Sequence, residues 1–284
     1  MRWRTTRFAI ELTRPQVMGV VNVTPDSFSD GGLHGSTDAA VRHCTRLVED
    51  GADILDIGGE STRPGSPPVP VEAELARVLP VLREALKMGL PVSVDTSKPE
   101  VMRAVLDLGA DIVNDVWALR QPGALEAVSA HVSCGICLMH MHRDPQSMQT
   151  HPMEGDVVPA VLSFLDTRAR ALVAQGVDAE RIVLDPGIGF GKTVAQNFTL
   201  LARQRELLGA GRPLLAGWSR KSSLGKVSGI ASAADRMVPS VAAALLAVQQ
   251  GASIVRVHDV RETVAALAVW QAMETERPGQ EAKQ

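Results

Sequence analysis

The chain has no tyrosine, and phenylalanine and tryptophan supply only five and four of its 284 residues. A large interior therefore cannot be built around aromatic rings. It falls to Val, Leu, Ala and Ile, which a 45% hydrophobic content provides. Cysteine is scarce too: Cys44, Cys134 and Cys137 are odd in number and make no disulfide framework. Neither sign of charge dominates. A formal net charge of −3 gives no global reason for nucleic-acid or membrane binding, so any anion site must be local. No apolar run approaches the ~20 residues of a membrane span. The basic opening MRWRTTRFAIELTRPQ lacks the apolar segment of a secretory signal. Glu11 and an early strand leave little room for a transit sequence. These absences point to a cytoplasmic protein.

What is present is a repeated pattern. Eight apolar runs end in polar clusters: VVN, LDIGGESTR, VSVDTS, IVND, CLMHMH, IVLDPG, LLAGWSRKS and IVRVHD. Runs apolar on both faces read as strands of a buried parallel sheet. They are expected at Val17–Val21, Ile54–Ile57, Pro91–Val94, Asp111–Val113, Gly135–Met139, Arg181–Leu184, Pro213–Ala216 and Ser253–Val257. Helix-forming stretches lie between them. One begins at a Ser36 or Thr37 cap, one spans Glu72–Met88, one starts at Pro99, and an apolar one covers Ala233–Gln250. The expectation is one α/β domain over residues 1–284, a (β/α)8 TIM barrel. Residues 1–16 would be a leader folded as a hairpin under the barrel, and 275–284 a flexible tail. In such a barrel the active site lies at the C-terminal strand ends, so the eight polar clusters belong to one constellation. The long Gly/Pro/Ser-rich loops after the first two strands read as lids that order with substrate.

Several clusters carry chemistry. DPGIGFGKT fails the P-loop spacing, because Pro186 stands where the first glycine belongs. A Gly-rich turn explains its glycines but not Asp185, a carboxylate at the end of a buried strand that needs a partner such as a guanidine-like ligand edge. Arg220 and Lys221, flanked by serines after the seventh strand, suit an anion or a carbonyl. Arg256 and His258, two apart on the eighth strand, share a face, and a guanidinium there can stack on a flat ring or bind phosphate. Ser61, Thr62 and Arg63 suit diphosphate oxygens. Asn22 offers a hard oxygen to Mg²⁺. Asp95 and Asn114 end strands, with helix capping as the plain alternative. His140 and His142 match a metal-hydrolase HxH pair, but on the fifth strand rather than the first. Cys134 and Cys137 read as buried structural residues rather than a redox pair.

Taken in order, MGVVNVTPDSFSDGG, DIGGESTRPG, VSVDTSKP, IVND, LMHM, LDPGIGFGK, SRKS and RVHDV resemble the dihydropteroate synthase family from about residue 17 to 262. The resemblance implies a transferase of folate biosynthesis, usually a homodimer, using Mg²⁺ and small-molecule substrates only. It would join (7,8-dihydropterin-6-yl)methyl diphosphate to 4-aminobenzoate, with sulfonamides competing for the aminobenzoate position. It implies catalytic roles for Asp95, Lys221, Arg256 and Arg63. Pterin diphosphate binding would fall to Thr62, Asp95, Asn114, Asp185, Lys221, Arg256, Val257 and His258. Phe28, Pro64, Phe190 and Ser222 would hold aminobenzoate, and Asn22 the metal. With no protein nucleophile visible, the implied substitution is dissociative. The rivals are a methyltetrahydrofolate-type methyltransferase, which would lack the STR and RVH diphosphate groups, an inactive pterin-binding homologue, and an HxH hydrolase.

Overall fold

A computed structural model describes residues 1–24, 32–62, 66–144, 148 and 150–276. An antiparallel hairpin of β1 (Arg2–Arg4) and β2 (Ala9–Glu11) comes first. Then follow β3 (Gln16–Asn22), α1 (Gly32–Glu49), β4 (Ile54–Gly58), α2 (Val71–Ala85), β5 (Val92–Asp95), α3 (Pro99–Leu108), β6 (Ile112–Asp115) and α4 (Ala124–Ser129). The chain continues through β7 (Gly135–Met139), α5 (Val157–Ala174), β8 (Ile182–Asp185), α6 (Val194–Ala202), β9 (Leu215–Ala216), α7 (Ser222–Ser228), α8 (Met237–Gln249), β10 (Ile254–Val257) and α9 (Val260–Thr275). The strands pair in parallel in the order β8-β7-β6-β5-β4-β3-β10-β9. A parallel bridge from Leu184 to Leu214 closes the ring. The closed barrel is the expected architecture.

The barrel strands are buried on both faces along most of their length, and the period of two decides which residue goes where. Val17, Val21, Leu55, Ile57, Val92, Val94, Val255 and Val257 pack outward beneath the helices. Met18, Ile54, Ile112, Cys137, Val183, Leu215 and Ile254, from seven strands, meet inside the ring around Trp3. Trp3 is fully buried, and its Nε1 donates to the Arg181 carbonyl at 3.0 Å. Arg7 reaches the fully buried Asp111 at 2.6 Å, and Asp111 also accepts the Val92 N–H at 2.9 Å. The hairpin thereby stoppers the N-terminal mouth of the barrel.

Three helical boundaries differ most from the sequence reading. The first helix starts at Gly32, not at a Ser36 or Thr37 cap, so those residues sit inside it. The segment after Lys221, read as loop, contains α7, and the apolar helix begins at Met237 rather than Ala233. In both cases a glycine- and serine-rich sequence hid helical turns that packing stabilises. Of the tail expected at 275–284, residues 277–284 lie outside the described residues. Cys134 and Cys137 are buried and free: Cys137, on β7, points into the ring, and Cys134, just before the strand, packs outward under the helices. No described helix is long and apolar enough to cross a membrane.

Candidate active site

Moving two residues along a strand keeps the same face. From Ile54, Ser93, Ile112, Cys137, Val183 and Ile254 that step leads to Asp56, Asp95, Asn114, Met139, Asp185 and Arg256. All but Asp56 line a pocket at the C-terminal mouth, joined by Thr62, Phe190, Ser219 and Lys221. The apolar plug thus gives way to a charged rim within one step.

Arg256 organises the rim. Its Nε donates to Asp56 at 2.6 Å and its Nη2 to Asp95 at 3.0 Å. Asn114 donates to the same Asp56 oxygen at 3.2 Å. Burial opposes the Arg256 charge, but Asp56 and Asp95 outweigh it and push the guanidinium above its usual range. Burial likewise lifts the Asp95 carboxyl to about 7; Arg256 pulls it down, while Asp56, Asp115 and Glu74 repel its charge. Asp185 is also raised by burial, against the Gly187 N–H at 2.7 Å and the charges of Lys221, Lys192 and Arg256. Lys221 places its Nζ 4.2 Å from the centre of the Phe190 ring. Neither Asp95 nor Asn114 caps a helix: α3 is capped at Lys98, with Pro99 at its first turn, and α4 at Gly123.

The pocket holds about 60 Å³ and opens beside a cleft of about 560 Å³. The two share Thr62, Asp95 and Val116. In the cleft wall Lys98 is clamped between Glu60 and Glu74. Burial disfavours its charge, but the two hydrogen-bonded carboxylates prevail and raise its pKa.

Not every expected residue arrives. Val257 has the opposite parity to Arg256, and its side chain is buried under the helices. Ser222 opens α7 as an exposed residue outside the pocket lining, and the buried neighbour is Ser223. His258 is half-buried, with Nδ1 2.9 Å from Ser219 Oγ, one residue pair away from the lining. Asn22 ends β3 on the inward parity but does not line the pocket. Phe28, Arg63 and Pro64 lie outside the described residues, as do parts of both long loops. Sequence reasoning missed Asp56, fully buried with Oδ1 unpartnered among the described residues. A charge inside ILDIG, on the parity later occupied by Arg256, was the available signal. It also missed Lys192, read only as part of a Gly-rich turn.

A closed (β/α)8 barrel whose rim sets two carboxylates, an amide, an ammonium and a guanidinium around a narrow slot is an enzyme scaffold for a flat, nitrogen-rich ring. The pterin binding enzyme family matches residues 18–258, and the chain belongs to this family and, within it, to the dihydropteroate synthases. The dihydropteroate synthase of Neisseria meningitidis serogroup C is 50% identical over 274 residues, covering 95% of this chain and 97% of its own. The Xanthomonas albilineans dihydropteroate synthase with 4-aminobenzoic acid superposes with a TM-score of 0.91 at 51% identity, covering 98% of this chain and 100% of the other. The same enzyme in complex with 7,8-dihydropteroate gives a TM-score of 0.88 at 50% identity, covering 96% and 100%.

Proposed function

We infer that the chain condenses (7,8-dihydropterin-6-yl)methyl diphosphate with 4-aminobenzoate, releasing 7,8-dihydropteroate and diphosphate in folate biosynthesis. It is a transferase, and its relatives carry that name at about half identity over nearly their whole length. The observation that carries the assignment of roles is the convergence of Asp95, Asn114, Asp185, Lys221 and Arg256 on one slot. Asn114 and Asp185 match the donors and acceptors of an aminopyrimidine edge, and Lys221 donates to ring acceptors.

The substitution is dissociative. The methylene carbon–oxygen bond to diphosphate breaks, and the developing cation spreads into the dihydropterin. Ionised Asp95 stabilises that cation where it forms. Arg256 and His258, joined by Arg63 as the family resemblance implies, take up the charge of the leaving group. The aminobenzoate amine then forms the carbon–nitrogen bond and yields a proton to diphosphate or water. Phe190, Phe28, Pro64 and the Lys221 stem flank its ring, with Ser222 toward its carboxylate.

Among the described residues no three His, Cys, Asp or Glu side chains gather as a metal cage. Mg²⁺ keeps most of its waters and takes one or two protein oxygens plus substrate phosphates. Asn22 would hold it, and when bound it would neutralise diphosphate charge.

The whole chain works in this reading as one barrel domain in the cytoplasm, in keeping with three unpaired cysteines. It pairs with a second copy through α8 and α9, where Val238, Leu246, Val269 and Met273 are exposed. Sulfonamides, one of which is bound in the Yersinia pestis synthase structure, compete for the aminobenzoate position. The test is diphosphate release from the dihydropterin diphosphate with Mg²⁺, with and without 4-aminobenzoate. Release that depends on aminobenzoate supports the synthase reading; release without it means a hydrolase.

A further inference from the structure

Two sequence features have no part in the reaction just described: the lysine of GIGFGK and the first histidine of HMH. They meet each other. Lys192, 5% exposed, places Nζ 2.9 Å from His140 Nδ1. The same Nζ donates to the Gly187 carbonyl at 2.9 Å and the Phe190 carbonyl at 3.1 Å. This inverts a phosphate loop: backbone oxygens point inward at a lysine, rather than backbone N–H groups at an anion. Burial, helped by the charge of Lys192, lowers the His140 pKa to about 2, so its ring is neutral and Nδ1 accepts.

The loop is folded tightly against the end of β7. A Cβ on Gly187 would stand 1.9 Å from the His140 carbonyl oxygen, and one on Gly191 2.6 Å from His142 Cβ. Both glycines have positive φ, 66° and 70°. The product of this winding is the position of Phe190, whose ring lies under Lys221 Nζ. A Cβ on Gly189 would come within 3.3 Å of Lys221 Cδ. Asn197 extends the tie, accepting the Gly189 N–H at 2.9 Å and donating to Ser223 Oγ at 2.9 Å.

We propose that Lys192, braced by His140, is a positioning residue: it shapes the loop after β8 from within and sets the Phe190–Lys221 wall of the aminobenzoate site. The proposal rests on the aminobenzoate role of Phe190 and Lys221 given above. The experiment compares steady-state kinetics of native protein with Lys192→Met, Lys192→Gln and His140→Leu, each substrate varied in turn. Lys192→Met, which keeps volume but loses the donors, should raise KM for 4-aminobenzoate roughly ten- to a hundredfold, the cost of a misplaced wall. KM for the pterin diphosphate should change far less. Lys192→Gln, which restores N–H donors without charge, should recover most of the loss. His140→Leu should shift KM in the same direction by less, and it carries the test should Lys192→Met not fold. Folded variants with unchanged aminobenzoate KM, or with both KM values raised equally, overturn the proposal. A native protein that never consumes aminobenzoate would instead overturn the functional reading beneath it.

Discussion

The two mouths of the barrel are built from the same strands on the same inward face, one alternation apart. At the N-terminal mouth, Ile54, Ile112, Val183 and Ile254 close around Trp3 without a charge among them. At the C-terminal mouth, the next inward positions are Asp56, Asn114, Asp185 and Arg256. A buried apolar layer stabilises; buried ion pairs such as Arg256 with Asp56 and Asp95 roughly break even at best against their desolvation. The rim is therefore retained for what it binds, and the plug for what it holds. About 7 Å of strand separates the two roles.

That division can be broken or sharpened. The largest effect is expected below: Trp3→Ala should cost about 3–5 kcal/mol of stability, read as a lower melting temperature. The kcat of the molecules still folded should be unchanged; a fall in kcat well below the melting range would mean that the mouths are coupled. Above, Lys221→Met should lower kcat/KM about 10²- to 10³-fold with little change in melting, and a large loss of stability would contradict the separation.

Asp95→Asn tests both at once. Its carboxyl stands at about 7 in the folded protein, against about 4 when unfolded. Below both values the carboxyl is protonated in either state and costs nothing. As pH rises from about 4 to about 7 the unfolded chain releases this proton while the folded protein still holds it, so folding loses at most about 1.4 kcal/mol per pH unit. Native protein should therefore lose stability relative to Asp95→Asn across that window, while its kcat/KM rises through about pH 7 as the carboxylate forms. The variant should lack this rise; parallel pH profiles would remove Asp95 from the charge-stabilising role. The smallest effect is expected for Ser219→Ala. Its contact with His258 has the form of an activated nucleophile, but a dissociative substitution needs none. Activity should stay within about tenfold of native, since general-base activation alone contributes 10²–10⁴, and a covalent pterin–serine adduct would defeat the mechanism.

Much of this was legible in the chain. Strands buried on both faces advertise themselves as apolar runs, and β7 matches its expected span, Gly135–Met139. Asp95, Asn114, Asp185, Lys221 and Arg256 stand at strand ends or just beyond and were found there. Asp56 was passed over: the charge inside ILDIG is visible in the sequence, but its partner Arg256 lies 200 residues on. Lys192 was hidden differently: its partners are carbonyls, which every residue possesses and no sequence displays. Val257 was misplaced because closeness in sequence to Arg256 is the opposite of closeness in space when side chains alternate.

The stoppering hairpin has a consequence for how the chain comes into being. Trp3 is made long before its acceptor, the Arg181 carbonyl 178 residues on, and its neighbour Arg4 pairs with the similarly distant Asp178 at 2.6 Å. During synthesis the hairpin therefore waits, its indole without that acceptor, until the 178 residues up to Arg181 have followed Trp3. Contacts of such long sequence separation are slow to form and leave apolar surface open to misassembly in the meantime. The stopper at the bottom of the barrel is thus tied to a segment made long after it.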